Sequence, residues 1–327
     1  MDHDARTGAG LPGDPGDGGA YDVVVVGGGP AGLSAALVLA RARRSVLVVD
    51  SGQPRNAPAA HAHGYLTRDG VTPGELLALG RQEVEDYGAR VVPGRATALR
   101  PGGAGFALAL DDGTSLHARA VVVATGLRDR LPELPGVAER WGTDVLHCPY
   151  CHGHEVSGQR IAVLGEEPHA AEEALLVRQW SDDVVLLLAE GVEVERLHLD
   201  RLAARGVEVV RGDAASLRLD GDALAAVVLA DGAEVACRAL VVAPRLHGAD
   251  DLLRQAGAAT ETSGFGDFVV TEPSGLTSVP GLYATGNVAS PAELVVDAVA
   301  AGSRTAIAVN FALAVDDADQ ALAAQRG

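Results

Sequence analysis

The stretch YDVVVVGGGPAGLSAALVLARARRSVLVVD, residues 21–50, decides the fold. Tyr21 and the four valines Val23 to Val26 make a short apolar strand with little polar alternation, the mark of a strand covered on both faces. Gly27-Gly28-Gly29-Pro30-Ala31-Gly32 then turns the chain into an Ala/Leu helix expected from Leu33 to about Arg43, and Ser45 to Asp50 supplies a second strand closed by an acid. Side chains at Gly27, Gly29 or Gly32 would block the turn, the approach of a pyrophosphate, or helix packing. The helix start presents bare N–H groups and its positive end to that anion. Asp50, roughly twenty residues on, is placed to accept from a ribose hydroxyl. A glycine-rich turn without a ligand is the competing reading, and the full strand, turn, helix and acid context speaks against it.

Downstream, Ala120 to Ala124 reads as a buried strand ending in Thr125-Gly126. Before it lie a long loop from Gly52 to Thr72, containing Arg55, Asn56, His61 and His63, and a helix from Pro73 to about Gly88. Loops of that length are commonly functional. Val91 to Leu99 and Gly105 to Leu110 read as strands, and Asp111-Asp112-Gly113 as a hairpin turn. A second βαβ unit follows: a strand Arg160 to Leu164, a helix from about His169 to Trp180, and strands at Val184 to Leu188, Val207 to Val210, Leu224 to Leu229 and Ala239 to Ala243. Gly281-Leu282-Tyr283-Ala284-Thr285-Gly286-Asn287 echoes the earlier Thr-Gly, and a last helix is expected from about Pro291 to Leu313. The expected class is α/β, with two Rossmann-like dinucleotide-binding domains, the second inserted into the first. Residues 21–126 and 245–327 form the first domain, 127–244 the central one, and 1–20 a solvated tail.

Composition narrows the function. The 327 residues are 47% apolar, enough for two cores, and 44 acidic against 26 basic side chains leave a formal charge of -18. Nucleic acid and anionic membrane surfaces are therefore not expected as partners. The uncharged run Val23 to Ala40 is broken by Gly27 to Pro30, which excludes a simple membrane span. The tail has four Asp and no cationic or apolar signal region, so a cytoplasmic protein is expected, where three cysteines suit a working dithiol better than a structural disulfide.

That dithiol sits in His147-Cys148-Pro149-Tyr150-Cys151-His152-Gly153-His154-Glu155. Structural zinc needs four ligands and only a pair is at hand, while Cys148 to His152 also matches the haem-attachment pattern without an export signal or a suitable axial methionine. A redox dithiol is the remaining reading. His152 is chemically apt beside it, because an imidazole titrating near pH ~6.5 can accept a thiol proton. His147 and His154 are given no chemistry. Cys237, entering an apolar strand, reads as a core cysteine.

Taken together, Gly27 to Gly32, Asp50, Thr125-Gly126, the CxxC and Thr285-Gly286-Asn287 resemble the low-molecular-weight thioredoxin reductase family over nearly the whole chain. The resemblance implies FAD in the first domain, held by Gly27, Gly29, Pro30, Ala31, Gly32, Asp50, Ser51, Arg55, Asn56, Ala96, Ala124, Thr125, Gly126, Gly286 and Asn287. It also implies a homodimer. Asn287 stands where the family has Asp, and His152 where it has an acidic proton donor. The family's NADPH loop is replaced by Gly165-Glu166-Glu167-Pro168-His169-Ala170, and its phosphate-binding arginines by Ala189-Glu190-Gly191-Val192-Glu193. Two carboxylates at a helix start oppose a pyrophosphate, one like-charge contact at ~4 Å costing about 4 kcal/mol at an effective dielectric of ~20.

The Cys-x-x-Cys-His-Gly pattern looks like the thiol oxidases that close disulfides in microbial natural products, the holomycin and gliotoxin type, which use FAD and oxygen without NADPH. The expectation is a FAD-dependent oxidase of a small-molecule dithiol. By resemblance, substrate attacks Cys148, Cys151 faces the flavin, and dioxygen is reduced to hydrogen peroxide. Alternatives are a thioredoxin reductase fed by ferredoxin or reduced flavin, an NADPH-dependent enzyme, and a flavin-binding redox sensor.

Overall fold

A computed structural model describes residues 20–103 and 105–326. The tail expected over residues 1–20 lies almost wholly outside the described residues. The chain divides into two compact units: Met1–Ala57, Pro73–Arg128 and Leu246–Gly327 form the first, and Pro58–Thr72 with Asp129–Arg245 the second. The expected limits of the inserted part, 127–244, become Asp129–Arg245, and there is one larger difference. Most of the long loop, residues 58–72, was expected with the first domain and belongs to the unit that carries the cysteine pair.

In the first unit the order is β1 (Tyr21–Val26), α1 (Pro30–Arg41), β2 (Val46–Asp50), α2 (Pro73–Asp86), β3 (Arg90–Pro93), β4 (Ala96–Gly102), β5 (Gly105–Leu110) and β6 (Ser115–Val123). The strands lie in the order β3-β2-β1-β6-β5-β4, and the strand Leu282–Ala284 pairs parallel with β6. β1 runs parallel to both β2 and β6, with Val24 opposite Leu47 on one side and Val121 on the other. Val23 and Val25 join the cluster formed with α1 and the C-terminal helix, and Val24 and Val26 join the cluster on the opposite face. That is why the run shows no alternation. The single strand expected from Val91 to Leu99 is two, because Gly94 and Arg95 separate β3, parallel to β2, from β4, antiparallel to β5.

Helix α1 starts at Pro30, three residues before the expected start, with the proline in the first turn where its missing N–H costs nothing. The last helix runs Val295–Ala324, starting later and ending further on than expected. By length and composition alone it could cross a membrane. Ala298, Ala301, Gly302, Thr305, Ala306, Val309 and Leu313 are its buried face, the face of a core helix; Ile307 and Phe311 are exposed on the other.

The second unit holds a parallel sheet in which Val184–Leu188 lies between Ile161–Gly165 and Glu208–Arg211, and Ala239–Val241 joins on the far side of Ile161–Gly165, followed by Val145–Leu146. An antiparallel trio, Ala214–Asp220, Ala223–Leu229 and Glu234–Ala236, accompanies it; the first and last of these were not expected. Cys237 is buried and its thiol is pushed up to about 12 by that burial, an inert core residue as read.

Candidate active site

At the glycine loop of the first unit, packing and ligand space are separated residue by residue. A Cβ on Gly27, whose φ is +108°, would collide with the Ala124 carbonyl, and one on Gly32 with the Gly27 carbonyl. Around the Cβ position of Gly29 there is nothing within 4 Å. The tight-turn and packing roles thus fall on Gly27 and Gly32, and Gly29 leaves open the space a pyrophosphate needs. Gly286 meets the same helix start, a Cβ there lying 2.8 Å from that of Ala31, so the late Thr-Gly-Asn motif sits against the first loop. The Thr285 hydroxyl is buried with no hydrogen-bond partner among the described residues, an orphan that a ligand would satisfy.

Asp50 accepts from the Gly28 N–H at 3.1 Å and from Arg81 at 2.5 Å. It borders a cavity of about 500 Å³ walled also by Ser51, Arg81, Val92, Gly94 and Arg95. Gly28 and Arg81 were not among the expected site residues. A Cβ on Gly28 would stand 2.7 Å from the Asp50 carboxyl carbon, so the second glycine of the run is required by the acid. Arg81 had no sequence signal, because its approach depends on how α2 packs. Ala96, expected at the site, does not line the cavity; it packs against the apolar cluster behind it.

Thr125 donates to the Ala249 carbonyl at 2.7 Å and Gly126 accepts from the Ala249 N–H at 3.0 Å, which fixes the turn after β6. Arg55 reaches Asn287 Oδ1 at 3.4 Å. The Asn287 amide donates toward the carbonyls of Ser290, Pro291 and Glu293 at 3.1, 3.2 and 3.0 Å. This explains the departure from Asp: a carboxylate cannot donate to the three carbonyls that close this loop. Asn56 is half-buried in the turn beside Arg55, and among the described residues no side-chain hydrogen bond marks its role.

In the second unit, Cys148 and Cys151 are joined as a disulfide with Cα atoms 5.2 Å apart. Cys148 caps the four-residue helix Pro149–His152, and the Cys151 N–H donates to its sulfur at 3.2 Å. That donor stabilises negative charge on Cys148 once the bond opens. Burial holds the His152 imidazole below the usual histidine range; Glu155 opposes this and His63 adds to it. His152 is therefore a neutral base around pH 7, and it directly follows Cys151 in the chain. The glycine after it has a steric reason: a Cβ on Gly153 would stand 2.5 Å from the Pro149 carbonyl and 2.7 Å from the Trp180 ring, which itself meets Tyr150 edge-on at 5.5 Å. Trp180 is a further site residue without a local sequence signal.

In the segment Gly165 to Ala170 and the helix after it, the first helical N–H groups are taken up by the backbone that precedes them. The helix there is Ala170–Val177, shorter than expected, so Glu166 and Glu167 precede it as exposed residues and the acids of its first turn are Glu172 and Glu173. The Ala170, Ala171 and Glu172 N–H groups donate to the carbonyls of Glu167, Pro168 and His169 at 3.1, 3.3 and 3.0 Å. Pro168 contributes no donor. Since Glu166 and Glu167 are exposed and screened, these consumed donors count for more than like-charge repulsion. After Val184–Leu188, the Glu190 N–H is taken by Asp213 at 2.9 Å.

A family model described as pyridine nucleotide-disulphide oxidoreductase matches residues 21–302. Thioredoxin reductase sirT of Leptosphaeria maculans is 32% identical over 311 residues, covering 89% of this chain and 94% of the relative. Thioredoxin reductase aclD of Aspergillus oryzae is 29% identical, covering 91% and 98%. Among solved structures, HlmI is 49% identical with a TM-score of 0.88 over 93% of this chain and 96% of that one. The oxidoreductase from Agrobacterium tumefaciens is 37% identical with a TM-score of 0.86 over 90% and 99%.

Proposed function

We propose that this chain, which belongs to the pyridine nucleotide-disulphide oxidoreductase family and is a thioredoxin reductase-like thiol/disulfide oxidoreductase, is a FAD-dependent oxidase of small-molecule dithiols that takes no electrons from NADPH. Independence from NADPH is supported by the helix start at Ala170, where the first N–H groups are spent on the carbonyls of Glu167, Pro168 and His169. In the first unit, by contrast, the open space at Gly29, the orphan Thr285 hydroxyl and Asp50 beside its cavity fit a dinucleotide. Gly27, Gly28, Gly29, Gly32, Asp50, Ser51, Thr125, Gly126, Gly286 and Asn287 would hold FAD. When bound, FAD supplies a two-electron acceptor that dioxygen can reoxidise with formation of hydrogen peroxide.

The chain's own part is disulfide exchange. His152 takes the proton of one substrate thiol. The resulting thiolate attacks Cys148, the sulfur–sulfur bond breaks, and Cys151 leaves as a thiolate. Once that proton has passed to solvent, His152 takes the proton of the second substrate thiol, whose thiolate attacks the mixed disulfide, closing the product ring and releasing Cys148, whose negative charge the Cys151 N–H stabilises.

The test is anaerobic mixing of the FAD-loaded protein with NADPH and then with dithiothreitol, while the flavin absorbance is followed. Bleaching by dithiothreitol alone, then oxygen uptake with peroxide, is expected, and Cys151→Ser should abolish it. Rapid bleaching by NADPH would overturn the proposal. A second reading, a thioredoxin reductase served by another electron donor, is favoured by the names of the relatives. Reduction of thioredoxin by ferredoxin or reduced flavin, without thiol-dependent oxygen uptake, would establish it.

A further inference from the structure

Residues 58–72 leave the first unit and pack in the unit of the cysteine pair, and they bring His63 with them. Its Nε2 lies 3.3 Å from a carboxylate oxygen of Glu155, and its Nδ1 lies 3.5 Å from one of Asp69. Asp69 is itself held by the Gly64 N–H at 2.8 Å. Glu155 comes three residues after His152, in the turns that continue from the cysteine helix. An imidazole fixed at both nitrogens between two solvent-exposed carboxylates, one of them three residues from the base, has the form of a proton carrier between the site and water.

The exchange needs one. A dithiol and the enzyme disulfide give a cyclic disulfide and two cysteine thiolates: two electrons move from substrate sulfur to enzyme sulfur, and two protons are released. His152 seats one proton. Returning it to Cys151 would quench the thiolate that must hand its electrons on, so the proton has to leave before the second thiol is activated.

We propose that His63 is a positioning residue for this exchange, held by Glu155 and Asp69 so that the proton collected at His152 moves out along Glu155 and His63 to solvent. The inference rests on the dithiol reading above. The charged and titratable groups around His63 are Glu155, Asp69, His152 and His61, whose ring centroid is 6.2 Å away; His154 acts on Asp69.

Wild type, His63→Gln and Asp69→Asn, each FAD-loaded, are mixed anaerobically with dithiothreitol in weak buffer between pH 5.5 and 9. Rapid-quench alkylation separates the mixed disulfide, with one free cysteine, from the fully reduced pair, with two, and absorbance follows the flavin separately. The expected result for His63→Gln is release of the second cysteine slowed roughly tenfold below pH 7, an unchanged rate near pH 9 where hydroxide serves as acceptor, and recovery on adding free imidazole. Asp69→Asn should show the same pattern more weakly. A pH profile like that of wild type, or a uniform slowing that imidazole leaves untouched, overturns the role of His63 while leaving the oxidase reading intact. If dithiothreitol fails to open the wild-type disulfide or bleach its flavin, the oxidase reading falls and this inference with it.

Discussion

Glu173 offers a quantitative test of the second unit. It stands in the first turn of Ala170–Val177, where the helix dipole favours a carboxylate, yet one of its oxygens is buried without a hydrogen-bond partner among the described residues. Burial wins and pushes its pKa up from 4.5 to about 7. The native state therefore holds this proton more tightly than the unfolded chain does. The corresponding stability is full below pH ~4.5, is lost as pH rises through about 7, and is absent above, a difference of about 3 kcal/mol for the shift from 4.5 to 7 at 1.36 kcal/mol per unit. Glu173→Gln removes the titration. Its own buried amide costs about 1 kcal/mol at any pH. The variant should thus be about 1 kcal/mol less stable than wild type at pH 4.5 and about 2 kcal/mol more stable at pH 8.

Urea unfolding followed by tryptophan fluorescence is the assay. Both tryptophans, Trp141 and Trp180, lie in the second unit, so the signal reports that unit even if the chain unfolds in more than one step. The quantity to read is the change in the variant-minus-wild-type difference between the two pH values, in which the amide's cost cancels. Equal differences at pH 4.5 and pH 8 would refute the reasoning, since they would place the Glu173 carboxyl in water.

Three further outcomes are expected. His152→Ala should slow opening of the disulfide by dithiothreitol on the order of 10²-fold at pH 6.5, shrinking to a few-fold near pH 9, where thiols of pKa ~8.5 ionise unaided; a ratio constant with pH in stopped-flow would remove its role as base. Asn287→Asp should cost about 2 kcal/mol at neutral pH and less in acid, because the carboxylate faces the carbonyls of Ser290, Pro291 and Glu293; thermal unfolding with flavin release would show it, and an unchanged transition would count against the clamp. Gly153→Ala, at a helical φ of -66° where alanine is unstrained, should perturb Trp180 emission and cost at least about 2 kcal/mol through collision with that ring and the Pro149 carbonyl, whereas wild-type emission and stability would mean the ring moves aside freely.

Several parts of the candidate site are legible in the sequence alone. The strand, glycine loop and helix of residues 21–41 follow from backbone rules acting over a few residues, as does the disulfide between cysteines three apart. The helix start at Ala170 was misjudged by one residue, and with it the placement of Glu166 and Glu167, because a run of acids is equally compatible with the turn before a helix and its first turn. Val91 to Leu99 was read as one strand because its apolar content carries no mark of the change from parallel to antiparallel pairing at Gly94.

The sequence by itself determined the glycine-loop fold of the first unit, the cysteine pair with its neighbouring imidazole, and the glutamate and proline that follow the first strand of the second βαβ unit in place of a glycine loop; each is encoded within a few successive residues. Tertiary structure alone decided that Arg81 meets Asp50, that Trp180 covers Gly153, and that His63, far upstream in the chain, stands against Glu155. Those meetings depend on how helices and a long loop settle on finished sheets, and packing of that kind is a sum over many weak contacts that leaves no local signature.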